Sequence, residues 1–302
     1  MADSTRRQFQ TRDGVTLRGD FYQAKGEKRG IVVMAAGFSL LKELSGGFAR
    51  MFQEAGISAL AYDFRTFGSS DGTPRQEIDL NQQATDFHDA VTAAMDLPGV
   101  DSTKVVMWGA GHGASAAMMA AGNDPRIKAV IMHAPFPSGT IDATHFPEGA
   151  LQRAWRERES MTRTPGVAPA YEQVWRNWLE EGAGDEKKVF IQGVAAFYLS
   201  QMNAQLAAAA GTPWKNEVTL QTFLNIASTE PQDYAYKIVK PALYVVNEAD
   251  PFNITPEEHK KVFNRMGSNA EFKIIDQLPG GDLGAQLGAG VGYQIEWLKR
   301  LF

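Results

Sequence analysis

The chain has 302 residues, a formal charge of −5 and no cysteine. Such a length buries a full core in one large domain or in a domain with an insert, the charge argues against a nucleic-acid partner, which takes a basic face, and the missing thiols exclude disulfides, thiolate catalysis and zinc–cysteine sites. No apolar run reaches bilayer-spanning length and the first eight residues lack a signal-peptide core, so no membrane partner is expected and the cytosol is the expected location.

The opening reads as a hairpin, with residues 8–12 and 15–21 flanking the turn signal Asp13-Gly14. Ile31, Val32, Val33, Met34 and Ala35 form a buried strand. Residues 41–55 follow as a helix with Leu44, Phe48, Met51, Phe52 and Ala55 on one face and Gly56 as its stop. Residues 57–62 make another strand. Asp79 caps a helix whose apolar stripe runs Leu80, Ala84, Phe87, Val91 and Met95. A strand over 105–108 runs into a glycine-rich turn and a helix, and residues 129–132 form the next strand. From Pro137 to about Asp233 the rhythm breaks into helices and loops rich in aromatic residues. Strand character returns at 242–246, and Thr255-Pro256-Glu257-Glu258 is a capping box with proline at the first helical position. Residues 272–275 are the last strand and 293–302 the closing helix.

Alternating strands and helices predict an α/β fold: a mostly parallel central sheet with helices on both faces. The expected organisation is a core of residues 1–136 and 234–302 with a helical lid insertion over 137–233.

The turn after the 105–108 strand reads Gly109-Ala110-Gly111-His112-Gly113. Strand, tight turn and helix are the layout of the nucleophile elbow G-x-S-x-G of α/β-hydrolases, with Gly111 where the serine belongs. Further stretches carry the same likeness: Gly37-Phe38-Ser39 followed by Lys42-Glu43, the run from Tyr62 to Gly72, Asp124-Pro125-Arg126, Arg158-Glu159-Ser160 and Asn247-Glu248-Ala249-Asp250. The chain resembles the α/β-hydrolase superfamily along almost its whole length, and within it the fungal hydrolases and transferases of polyketide biosynthesis. The resemblance implies a Ser–acid–His triad. Its serine position is the degenerate Gly111, its acid Asp250, and its histidine position falls on Asp282. It also implies an oxyanion hole built from the backbone N–H groups of Phe38 and His112, which needs no particular side chain.

Asp282 beside Asp250 would form a carboxylate pair in which repulsion raises one pKa; a solvated loop aspartate is the alternative. Asp250 reads equally as a turn cap. His133, at the C-terminal end of a strand, is a candidate for proton transfer or a buried histidine bonded to backbone. Ser115, one helical turn beyond Gly111, falls beneath the elbow and is no displaced nucleophile. His88 and His259 read as structural or exposed, and His145 as a residue that could face the pocket. The histidines lack metal-ligand spacing, and the glycine runs match no phosphate loop, so neither metal nor cofactor is expected.

These readings predict a non-hydrolytic enzyme (cyclase, isomerase, dehydratase or aldol-type lyase) acting on a small apolar polyketide-like substrate. Asp282, Asp250 and His133 are the candidate catalytic residues. The alternatives are a catalytically silent binding protein, or a slow hydrolase or acyltransferase using activated water. Oligomeric state stays open, a homodimer being one option.

Overall fold

The computed structural model describes residues 4–26, 29–175, 190, 194–248, 254–275 and 283–302. Two strands, β1 (Thr5–Gln10) and β2 (Thr16–Tyr22), pair antiparallel around Gly14, whose φ of 87° suits a residue without Cβ. The central sheet adds β3 (Arg29–Ala35), β4 (Ser58–Tyr62), β5 (Val100–Ala110), β6 (Ile127–His133), β9 (Ala242–Asn247) and β10 (Ala270–Ile275). Its order is β1-β2-β4-β3-β5-β6-β9-β10, parallel from β4 onward and antiparallel between β2 and β4.

Both faces of this sheet are covered, which is why its central strands are continuous apolar runs. Successive β3 side chains serve opposite cores: Ile31, Val33 and Ala35 pack with helix α2 (Leu80–Met95) and helix α3 (His112–Ala121), while Val32 and Met34 pack with helix α1 (Lys42–Glu54) and helix α9 (Leu283–Lys299). Phe52 and Phe87, one in each layer, are fully buried, each contributing about 1.5–3 kcal/mol. The Asp79 carboxylate caps α2 by accepting from the N–H groups of Asn81 and Gln82, and α8 (Pro256–Phe263) begins with the expected capping box of Thr255 and Glu258.

Two elements differ from expectation. The buried face of α1 is Lys42, Ser45, Ala49 and Phe52, whereas Leu44 and Phe48 border a cavity. Helix α9 starts ten residues before Tyr293. Glycines at 284, 288, 290 and 292 lower its intrinsic propensity, and packing onto the sheet overrides that.

Between β6 and β9 the chain leaves the sheet as α4 (Gly139–Ala143), α5 (Ala150–Arg163), α6 (Val194–Ala210), α7 (Gln221–Ala227) and a 3-10 helix (Pro231–Lys237). This insert is not purely helical: β7 (Tyr171–Gln173) and β8 (Glu217–Thr219) form an antiparallel ribbon too short to show alternation in sequence. Among the described residues no helix is long and apolar enough to cross a membrane.

Candidate active site

Gly111 sits between β5 and α3 with φ 54° and ψ −127°, the left-handed turn that lets a strand reverse directly into a helix. Its N–H donates to His133 O at 2.9 Å and its carbonyl accepts from Ala114 N, so the turn is held from both sides. The neighbouring glycines do a different job. A Cβ on Gly109 would lie 2.1 Å from Gly113 O, and one on Gly113 would lie 2.3 Å from Ala36 O, so both exist to let α3 press on the sheet. A Cβ on Gly111 would meet only ordinary contacts, Gly37 Cα and Phe136 Cε2 at 3.6 Å each.

The loop after β3 lies against this elbow. Its Ser39 is also left-handed, φ 51°, and two indoles from the insert hold it there: Trp175 Nε1 donates to Ser39 Oγ and Trp214 Nε1 to Ser39 O, each at 2.7 Å. Asn203 Oδ1 on α6 accepts from Leu41 N at 2.9 Å, and Thr212 Oγ1 donates to Glu43 Oε1 at 2.6 Å. The insert therefore clamps the loop that carries Phe38. Among the described residues neither the N–H of Phe38 nor that of His112 meets an acceptor; His112 begins α3, so its N–H has no intrahelical partner.

The run from Tyr62 to Gly72 buttresses the same loop from below. Buried Asp63 accepts from Lys42 N, Ser69 N and Ser69 Oγ, each at 2.9 Å. Gly68 (φ 49°) wraps so closely that a Cβ there would clash with the Asp63 carboxylate. Burial pushes the Asp63 carboxyl up to about 6, against the pull of the Lys42 ammonium, with Glu43 adding to the rise. Between its ordinary value of 3.8 and about 6 the folded state holds a proton that the unfolded chain has released, so this group's contribution to stability falls as pH rises through that window. A carboxyl carbon NMR titration is expected to place the Asp63 midpoint near 6; a midpoint below 4 would mean that Lys42 and the hydrogen bonds outweigh burial.

Gly111, Phe38, Phe136 and Trp175 border a cavity of about 120 Å³, and Phe48, Trp108, His133 and Asn247 line it as well. A third left-handed residue, Ala134 (φ 46°), lies on its rim. Ala134 in its lining and Ser39 in the adjoining loop are the two non-glycine positions of this kind here, where strain of about 1–3 kcal/mol each is retained.

Asp250 and Asp282 lie outside the described residues, the latter immediately before α9. His133 borders the cavity. The His112 ring does not: it stacks on Phe136 with centroids 4.1 Å apart, and its Nε2 lies 3.2 Å from Asp142 Oδ2 without the alignment of a hydrogen bond. Burial raises the Asp142 carboxyl, opposed by His112. Ser115 Oγ is fully buried and staples Phe136, donating to its carbonyl at 2.6 Å and accepting from its N–H at 3.0 Å. Among the other histidines, His88 pairs with Asp124, His259 is buried against Tyr244 OH, and His145 bonds to Ile141 O, within its own helical turn. Among the described residues no cluster of possible metal ligands occurs.

Sequence reasoning missed Gln294, which is wholly buried and bonds to Trp108 and His133, two residues of the cavity lining. The available signal was its place in the stripe Val291, Gln294, Ile295, Leu298 of the closing helix, where an apolar residue belongs.

A mostly parallel sheet covered on both faces, an elbow between its fifth strand and the following helix, and a loop folded against that elbow define an α/β-hydrolase. Residues 26–279 match the family model described as serine aminopeptidase, S33, and the chain belongs to that family. It is 33% identical over 271 residues to the polyketide transferase claH of Penicillium crustosum, covering 86% of this chain and 84% of that protein. It is 36% identical over 240 residues to the thiohydrolase apmlB of Arthrinium phaeospermum, covering 79% and 76%. The crystal structure of the α/β-hydrolase GrgF from Penicillium sp. sh18 matches with a TM-score of 0.79 at 29% identity, over 99% of this chain and 98% of that one. The chain is thus related to the fungal polyketide-transferase and thiohydrolase family.

This kinship overturns the expectation of a cyclase, isomerase, dehydratase or lyase, and with it the expectation of an enzyme apart from the serine-hydrolase type: the relatives are hydrolases and acyl transferases by name. The error lay in reading a lost side chain as a change of reaction class. Removing the nucleophile changes how an acyl group is attacked; it leaves the turn, the loop and the cavity that would hold that group.

Proposed function

We propose that the protein is a slow acyl hydrolase or acyltransferase acting on a polyketide-like thioester or ester, with water or an acceptor hydroxyl attacking the acyl carbon directly. The observation that carries this reading is the elbow backbone kept at Gly111, which lines an apolar cavity together with Phe38, while among the described residues the N–H groups of Phe38 and His112 meet no acceptor. Those two N–H groups form the oxyanion hole and, with the positive end of α3, stabilise the charge that develops on the carbonyl oxygen. The attacking oxygen bonds to the acyl carbon and gives its proton to a base; the C–S or C–O bond breaks, and the leaving group departs with a proton. Asp250 and Asp282, on the family resemblance, are the candidate bases. The insert acts as the lid, since Trp175 joins the cavity wall to the oxyanion loop. A volume near 120 Å³ suits a short acyl segment, because a cavity of roughly 150 Å³ takes up benzene.

Oxyanion-hole and binding terms without a nucleophile leave roughly 10³–10⁴-fold acceleration over water in enzymes stripped of their triad. Octanoyl-N-acetylcysteamine is therefore expected to be cleaved at about 10³ times the buffer rate. One ¹⁸O from labelled water should enter the acid, with no acyl adduct on the intact protein mass. Binding of this thioester without cleavage would instead establish a silent acyl-binding protein.

A further inference from the structure

At the start of α1 the apolar run Leu41, Leu44, Phe48 and Phe52 is interrupted by one hydroxyl, that of Ser45. Ser45 is 3% exposed and lines the cavity beside Leu40, Leu44 and Phe48. A hydroxyl on a helix is ordinarily satisfied by its own backbone: Thr85, Thr92, Ser115, Thr162 and Ser228 each donate to the carbonyl four residues back. Among the described residues Ser45 Oγ makes no such bond and no other. Nor is the atom sealed in; it is open to space, and the space that Ser45 borders is the cavity. The two indole N–H groups of the lining are already committed, Trp108 to Gln294 and Trp175 to Ser39, each at 2.7 Å.

The position of this hydroxyl is fixed. At the start of the helix Asn203 Oδ1 accepts from Leu41 N and Asp63 Oδ1 from Lys42 N, both at 2.9 Å. Gly46 then packs so closely that a Cβ there would stand 2.7 Å from Tyr22 OH. An alanine would suit position 45 better in both helix propensity and burial, so the hydroxyl is retained against stability. In an apolar ligand cavity a few placed polar groups set the orientation and identity of the occupant.

We infer that the Ser45 hydroxyl is a specificity-determining contact that reads an oxygen on the bound acyl chain. The inference rests on the acyl-transfer reading for the identity of the occupant. A hydroxyl both donates and accepts, so it takes a ketone or a hydroxyl oxygen equally. A saturated chain would cover Ser45 and leave it unpaired, which is how a polar group in an apolar pocket rejects an analogue that lacks its partner. Gly37, Phe38 and Gly111 line the same cavity, so the oxygen that is read and the acyl carbon at the elbow belong to one short chain. The ligand class is an acyl thioester or ester with a keto or hydroxyl group on its chain.

Thermal unfolding of the unliganded protein tests the free hydroxyl without any substrate. Ser45→Ala is expected to raise Tm by about 2 °C, because helix propensity is gained and no hydrogen bond is lost; a lowered Tm would show the hydroxyl bonded within the protein and overturns the inference. Binding is then compared for three uncleavable probes, hexanoyl, 3-oxohexanoyl and 5-oxohexanoyl N-acetylcysteamine with the thioester sulfur replaced by an amide nitrogen. The wild type is expected to prefer one of the oxo probes over the saturated one about tenfold, and Ser45→Ala to lose that preference. Equal wild-type binding of the three probes, or a preference that survives in Ser45→Ala, overturns the inference and leaves the acyl-transfer reading intact; failure of the wild type to bind any of them overturns both.

Discussion

Gly113→Ala is expected to cost more than about 3 kcal/mol, a large fraction of the stability of an ordinary domain, and to leave much of the protein unfolded. The added Cβ would fall 2.3 Å from Ala36 O and 2.6 Å from Ala35 O, backbone atoms at the end of a central strand that cannot retreat without breaking the sheet. Gly109→Ala is expected to fail in the same way, since its Cβ would meet the Gly113 carbonyl. Gly111→Ala, between them, meets no clash and carries only the dihedral strain of about 1–3 kcal/mol. Urea unfolding of the three variants measures the ranking. A Gly111 variant as damaged as the other two would mean that the central glycine, too, is there for space.

Grafting a serine and a histidine back is expected to have the largest effect on chemistry. The wild type and Gly111→Ser alone are expected to resist a fluorophosphonate probe: the wild type has no hydroxyl at the elbow, and in the variant a carboxylate is too weak a base to replace the imidazole that activates a triad serine. Gly111→Ser combined with Asp282→His is expected to be labelled and to raise thioester cleavage by at least roughly 10³-fold, the scale on which a triad exceeds its oxyanion hole alone. The turn already has the dihedrals, and the Cβ position has room beside Gly37 and Phe136. The placement of the histidine rests on the family resemblance. Labelling of the wild type would contradict the direct-attack reading outright, since another residue would then be the nucleophile.

The elbow was legible in sequence because its determinants are local: three alternate glycines between an apolar strand and a small-residue helix. The same holds for the Asp79 cap and the Thr255–Glu258 capping box, where donor and acceptor lie within three residues of each other. That His133 stands at a strand's end was legible in sequence; its contact to buried Gln294 was not, because that residue is 161 positions away. Nor could composition assign the aromatics of the insert: Trp175 and Trp214 proved to be clamps on Ser39, and Phe190 and Phe223 core.

Periodicity tells which face of an element turns inward, because that depends on the spacing of residues along one segment. By itself, therefore, the sequence determined the order of strands and helices in the central sheet and its covering layers, the two-sided burial of the sheet and the glycine at the nucleophile position. It did not determine which buried polar groups would meet. Trp108, Gln294, His133 and Asn247 come from four different elements, and only the packing of α9 across β5, β6 and β9 brings their atoms within hydrogen-bonding distance. The tertiary structure decided that match, since a buried amide or imidazole is stable only where the fold delivers its complement.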